Sequence, residues 1–293
     1  MLMQKIKIMT DSACDISIEH EQELGIKIMC FPITIDNKGY IERETLSKEE
    51  FYDLLATCSE LPSTAQITSF RYVEAYKELF DEGYTDVINI TISSSGSNTY
   101  NSALLAMKTF YEENPSANEK FRIHVIDSLT YTSGYGYAVI EAATKVKKGA
   151  TSDEIMAYLE DWFSSVEIYF SPYSLEQVKR SGRVSCAAAF MGELLGLRPL
   201  IQMVDGTSNV LEKIRGNKNI IPKIADTAIK NMIPHTPYII IKGSVNDHAI
   251  ELSKEMTKRV GYPPAMTIQI GAAVANNAGA EVAGITIKSK RNS

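Results

Sequence analysis

No stretch of this 293-residue sequence approaches the ~18 consecutive apolar residues that a membrane helix needs. Stable membrane insertion is therefore not expected. The opening MLMQKIKIMTDSACD turns polar too soon for a secretory signal, so the expected location is the cytoplasm. Cysteine is scarce and scattered. Cys14, Cys30, Cys58 and Cys186 form no C-x-x-C pair, which argues against a zinc site or a disulfide framework and for reduced, mostly buried thiols. Basic residues are in the minority, 30 against 36 acidic, for a formal charge of −6. That balance disfavours nucleic acid as a partner and offers no polybasic anchor for a lipid surface.

The common catalytic and nucleotide signatures are missing too. There is no G-x-x-x-x-G-K-[ST] loop. Gly134 and Gly136 begin a G-x-G, but Val139 stands where the dinucleotide fingerprint needs its third glycine. Ser97 sits in no G-x-S-x-G, and no H-E-x-x-H occurs. His20, His124, His235 and His248 lie near no motif, so no Ser-His-Asp triad can be assigned. No metal or cofactor is expected.

What is present is an ordinary globular composition, 44% hydrophobic and 23% charged, with room for one large or two medium domains. Apolar strand patterns at 5–9, 86–93 and 122–127 alternate with helical patterns at 16–25, 70–81, 100–113 and 136–148, the signature of a βαβ-type parallel sheet. Phe70, Val73, Tyr76 and Phe80 fall near one face of their helix. Residues 26–35 read as one long strand, followed by a DNKG turn and a hairpin. Ser47-x-x-Glu50 and Thr151-x-x-Glu154 are capping boxes. The pattern changes after residue 165. A strand at 166–170, short helices at 175–181 and 187–196, a hairpin around DGTS and a β-α-β run ending at 266–270 predict an α+β domain. The expectation is thus an α/β protein with an N-terminal parallel-sheet domain, 1–165, and a C-terminal α+β domain, 166–293, with a ligand between them. The ending KSKRNS reads as a solvated tail.

Two hydroxyl clusters stand out, Ser63-Thr64-Ala65-Gln66-Ile67-Thr68 and Ser93-Ser94-Ser95-Gly96-Ser97-Asn98-Thr99. Each lies between an apolar segment and a helix. The second follows a strand of the parallel sheet, at the carboxyl edge where open α/β sheets hold ligands. Backbone N–H groups at the following helix start favour an anion there. Helix capping would need only one such hydroxyl. Asp11, Asp15 and Asp127 also stand at strand ends, where carboxylates can hold Mg²⁺, act as a base, or simply cap helices and bond loops. Arg183 and Arg198 could face an anion or a partner.

These pieces fall into seven consecutive blocks: TDSACD at 10–15, STAQIT at 63–68, ISSSGSNTYNSA at 92–103, VIDSLTYTSGYG at 125–136, LEQVKRSGRVS at 175–185, LLGLRPLIQMVDG at 194–206 and IGAAVANNAGAEVAG at 270–284. In order and spacing the chain resembles the DegV family over nearly its whole length. The resemblance implies a two-domain α/β protein that binds a long-chain fatty acid between its domains. It also implies an acyl-carrying subunit, whose bound carboxylate a separate ATP-binding fatty-acid kinase subunit phosphorylates. Carried over by motif, Thr64 and Ser97 would contact the carboxylate, with Thr99, Asn277 and Arg183 as further candidates. The chain departs from the family where T-S-Q-P-S becomes TAQIT, where L-S-G-T-Y becomes GSNTY, and where the His of G-T-H-T-G-P-G becomes Asn277; the GGRI pair is SGRV here.

A bound acyl chain fits the sequence physically. Burying about fifteen methylenes is worth roughly 10 kcal/mol at ~0.8 kcal/mol each. The stretch AAAFMGELLGL offers adaptable apolar lining. Two other readings stay open: a phosphate- or acyl-handling enzyme using Asp11 or Asp127 with Ser97, and a regulatory module that senses a lipid.

Overall fold

The computed structural model describes residues 4–184 and 196–290. In chain order the first half runs β1 (Ile6–Asp11), α1 (Ile18–Leu24), β2 (Lys27–Met29), β3 (Pro32–Ile35), β4 (Lys38–Ile41), α2 (Lys48–Thr57), β5 (Ser63–Thr64), α3 (Ser69–Asp81), β6 (Asp86–Thr91), α4 (Thr99–Glu113), β7 (Arg122–Asp127), α5 (Ser133–Lys147) and α6 (Ser152–Phe163). Strands β2-β1-β6-β7 form a parallel sheet in that order. Every residue of β6 is buried, as a strand covered by helices on both faces must be. The order reverses between β1 and β6, so the crevice beyond their carboxyl ends is the natural place for a ligand.

Local sequence explains the helices. Ser17 caps α1, and Gly25 closes it in the left-handed region at φ 62°. Both capping boxes form, Ser47 with Glu50 on α2 and Thr151 with Glu154 on α6. Thr68 caps α3, accepting from the Arg71 N–H. The core face of α3 is Tyr72, Val73, Ala75, Tyr76 and Leu79; Phe70, expected on that face, is 69% exposed instead. It sits in the first turn of the helix.

The long strand expected over 26–35 is two strands in two sheets. β2 pairs with β1, while β3 joins β4 and β5 in a small antiparallel sheet of order β4-β3-β5. Pro32 opens the second piece, where its missing N–H does least harm. Asp36 and Asn37 both have positive φ, which makes the β3–β4 hairpin turn.

The second half runs β8 (Val166–Pro172), α7 (Glu176–Ser181), β9 (Leu197–Val204), β10 (Thr207–Arg215), α8 (Ile220–Asn231), β11 (Tyr238–Lys242), α9 (Asn246–Val260), β12 (Met266–Gln269), α10 (Ala272–Ala278) and β13 (Val282–Lys288). Its strands form one mixed sheet, β10-β9-β8-β13-β11-β12, in which only β11 and β12 are parallel. The fold is thus α/β, with a parallel sheet and a separate mixed sheet. The helix expected at 187–196 lies outside the described residues but for its last, as does most of AAAFMGELLGL.

Two elements were not foreseen. α10 and β13 follow the segment where the sequence pattern ended. β13 is central in the sheet, between β8 and β11. The solvated tail is also corrected in part: Lys288 ends β13, Ser289 is buried and bridges Met232, and the Lys290 N–H donates to the Asn231 carbonyl at 2.9 Å.

One apolar cluster fills the first half around Met9, Ile88, Phe110 and Tyr135, and another fills the second around Ile224, Tyr238 and Leu252. A third joins them, packing Ile33 and Phe51 against Ile168, Ile201, Ile241 and Ile270. Each such side chain contributes roughly 1.5–3 kcal/mol on burial, so the two halves of the chain are held together by apolar contact.

Candidate functional site

The serine loop is tied down before it meets anything else. The Ser93 N–H donates to the Thr130 carbonyl (3.1 Å) and the Ser94 N–H to Asp127 Oδ1 (3.0 Å). Ser93 Oγ lies 2.8 Å from Ser95 Oγ, which is 3.0 Å from the Tyr131 hydroxyl and donates to the Gly206 carbonyl at the tip of the β9–β10 hairpin. A Cβ on Gly96 would lie 2.6 Å from the Tyr131 ring, so a larger residue there would displace that ring. The loop is therefore gripped from both halves of the chain.

Ser97 differs from its neighbours. Its Oγ accepts from the Thr99 N–H at 3.3 Å and lies 2.8 Å from Thr99 Oγ1, which itself accepts from the Ile67 N–H at 3.4 Å. With Thr99 donating, the Ser97 hydroxyl keeps its own hydrogen for another acceptor. Asn98 precedes α4 but makes no side-chain cap, so Ser97 takes part of that role. Thr64 sits on β5, opposite Ile33 of β3. Its hydroxyl has no hydrogen-bond partner among the described residues.

Thr64 and Ser97 face one cavity of about 380 Å³. The first half supplies Phe31, Gln66, Ile92, Tyr131 and Thr132, together with the serine loop from Ser94 to Asn98. The second half supplies Ile168, Phe170, Met203, Ile241, Ile270 and Val282, then Ala273, Val274, Asn277 and Ala278 from one face of α10. Arg183 and Val184 complete the described wall, and Arg183 is its one charged side chain. Four of the five residues singled out in the sequence thus share one wall. Thr99 stands behind Ser97, fully buried. Asn277 donates from Nδ2 to the Ala273 carbonyl at 2.8 Å, which leaves Oδ1 as its remaining polar atom. Arg183 is exposed, with Nη1 donating to the Ser181 carbonyl at 2.8 Å.

The acidic candidates are engaged elsewhere. Asp11 is fully buried; Oδ1 accepts from the Tyr135 hydroxyl (2.5 Å) and the Ala13 N–H (3.2 Å), and Oδ2 from the Ile92 N–H (2.7 Å). Burial raises its pKa to about 7, against the opposing effect of those donors. Asp127 Oδ1 accepts from the Ser94 and Leu129 N–H groups. No hydrogen bond joins either carboxylate to Ser97 among the described residues. None of the four histidines lines the cavity. Cys14, Cys30 and Cys58 are unpaired, the first two buried; Cys186 lies outside the described residues. Burial pushes the Cys30 thiol up to about 12.

Sequence reasoning missed the apolar part of this wall. Ile168 and Phe170 alternate along β8, a signal that marks a buried face but does not say whether the face meets side chains or space.

The family profile described as "Uncharacterised protein, DegV family" matches residues 5–290. The chain belongs to the DegV family. A DegV domain-containing protein of Clostridium perfringens is 33% identical over 265 residues, covering 89% of each chain. Among solved structures, the DegV protein of Bacillus subtilis, described as a fatty acid binding protein, is 26% identical with a TM-score of 0.82, covering 98% of this chain and all of that one. A DegV family protein of Thermus thermophilus, solved in a study of its fatty acid binding, superposes with a TM-score of 0.86 at 23% identity over 98% of this chain and 100% of its own. No described helix is long and apolar enough to cross a membrane.

Proposed function

We propose that this DegV family chain binds a long-chain fatty acid in the cavity between an α/β domain, 1–165, and an α+β domain, 166–293. The single observation that carries this reading is the make-up of one wall. Thr64 and Ser97 line a cavity whose wall is otherwise largely apolar, with side chains from both halves of the chain. A carboxylate buried without donors is expensive, and Thr64 and Ser97 can donate to it. Thr99 supports Ser97 from behind. Asn277 and Arg183 reach the same wall, and Arg183 provides the one positive charge among the described residues that line it. The apolar tail supplies affinity at ~0.8 kcal/mol per buried methylene, offset in part by the entropy of immobilising the chain. The fatty-acid binding described for the Bacillus subtilis neighbour supports the reading.

The chain itself acts as a carrier, without a cofactor, in the cytoplasm. A separate ATP-binding kinase subunit phosphorylates the carboxylate that this chain presents. A site built mainly of neutral hydroxyls suits a head group that alternates between carboxylate and acyl phosphate, because a bidentate Arg clamp would favour one state strongly.

Mass spectrometry under native and then denaturing conditions tests the binding. Purified protein should carry, or take up from added oleate or palmitate, one fatty acid per chain. Protein from several hosts without lipid, and without uptake, would refute it. With ATP and oleate the chain alone should give no hydroxylamine-trappable acyl phosphate, and addition of a kinase subunit should give it.

A further inference from the structure

The α10 wall of the cavity is held by a small group of first-half side chains. They converge on five residues, 269–273, where β12 turns into α10. Lys48 Nζ donates to the Gln269 carbonyl at 2.7 Å, and the Tyr52 hydroxyl to the Ile270 carbonyl at 2.9 Å. Asp15 Oδ1 accepts from the Gly271 N–H at 2.7 Å, and Glu42 Oε1 from the Ala273 N–H at 3.1 Å. The packing is close: a Cβ on Gly271 would lie 2.5 Å from Glu42 Oε1 and 2.8 Å from Asp15 Oδ1. Both carboxylates are themselves fixed. Asp15 is in the left-handed region at φ 60°, and Glu42 Oε2 accepts from Ser12 Oγ at 2.5 Å. From this anchored turn, α10 carries Ala273, Val274, Asn277 and Ala278 to the cavity.

We infer that Asp15 and Glu42 are positioning residues that pin the α10 wall to the first half of the chain, and that release of this pin opens the cavity for ligand exchange. Neither side chain is on the cavity wall. Both act through the helix they hold.

The pin also responds to protons. Burial raises the Asp15 pKa to about 7, with Lys48 opposing the shift and Glu42 adding to it. Cys14, Tyr52 and Tyr135 are the other titratable groups that sense its charge, and Asp11 and Arg43 act on the same cluster through Cys14. The turn and α10 carry no titratable side chain. Detachment would return Asp15 to water and to an ordinary carboxylate pKa. The pinned state therefore binds the proton more tightly than the detached one. Detachment becomes easier as pH rises toward 7 and levels off above it. Between pH 6 and pH 8 the detached population should grow about tenfold, the limit set by a pKa of about 7 against about 4.

Hydrogen exchange of the amides at 270–275, corrected for base catalysis, reads the pin without any ligand. Wild type should show the tenfold rise between pH 6 and pH 8. Asp15→Asn keeps an acceptor, tolerates the left-handed backbone and cannot ionise on detachment, so it should exchange about a hundredfold more slowly than wild type at pH 6, with no rise toward pH 8. Asp15→Gly keeps the backbone and removes the acceptor; exchange there should be at least tenfold faster at both pH values. Asp11→Asn should leave the rise intact, since its partners all belong to the first half. A flat wild-type profile, a rise that persists in Asp15→Asn, or unchanged protection in Asp15→Gly would overturn the inference. Release of radiolabelled oleate, the arm that rests on the acyl-binding reading, should follow the same order of variants. Retained oleate whose release ignores these changes refutes the gating role. Failure of wild type to take up oleate, with the exchange pattern intact, refutes the acyl reading and leaves the pin standing.

Discussion

Replacing Ser97 by alanine separates a ligand contact from a helix cap. The Ser97 hydroxyl has two jobs in the structure. It accepts from the Thr99 N–H, at a long 3.3 Å, and it has a hydrogen left for the cavity when Thr99 donates to it. The first is a weak cap in a loop already tied by Ser93, Ser94 and Ser95, so its loss should change stability without ligand by less than ~1 kcal/mol, the low end for caps. The second, on the function proposed above, is a hydrogen bond to a charged head group, and its loss should weaken binding by about 1–2 kcal/mol, a five- to thirty-fold effect. Ser97→Ala should therefore release fatty acid some tenfold faster while its lipid-free melting temperature moves by only a few degrees. Thr99→Val, which keeps shape and removes the polarising hydroxyl, should fall between the two proteins. Stopped-flow transfer of a fluorescent fatty acid to acceptor vesicles, with calorimetry on delipidated protein, measures both quantities. Retention equal to wild type, or a loss matched by an equal loss of lipid-free stability, would show that Ser97 only caps α4.

Other consequences follow from the same geometry. Ala278→Phe projects a ring into the cavity and should reduce fatty-acid uptake at least tenfold while leaving or raising the melting temperature, as read by lipid mass spectrometry and calorimetry. Gly271→Ala forces its Cβ against Glu42 and Asp15 and should destabilise the fold by about 1–3 kcal/mol in urea titrations, as overpacking does. Asp11 is more basic in the folded protein than in the unfolded chain, so its contribution to stability is full below about pH 4 and is lost as pH rises to about 7. Asp11→Asn should remove part of the fall in the denaturant midpoint over that range, with Asp15 supplying more of it, and an unchanged slope would show that other groups set it.

The hydroxyl clusters, the helix caps and the order of strands were legible because each depends on neighbours in sequence. Ser47 with Glu50 and Thr151 with Glu154 announced two helix starts, and both boxes form. The break at Pro32 was visible as a residue but not as a change of sheet, since a β-branched run looks alike whether it pairs with β1 or with β4. α10 is built of alanine, asparagine and one valine, too weakly patterned to read as a helix, and is held by the pin at its start. β13 did carry a strand signal in VAGITIK; only its pairing with β8 and β11 makes it a centre strand.

What the sequence alone determined, then, is the alternation of elements and the chemistry of two polar loops, because periodicity and capping act over three or four residues. The tertiary structure decided that Thr64 and Ser97, thirty-three positions apart, look onto one space, and that β8, β9, β11 and β13 wall its apolar side. It also carried the Asp15 carboxylate across 256 positions to the Gly271 amide. Such meetings follow from packing the two halves of the chain against each other, and that is a property of the whole chain.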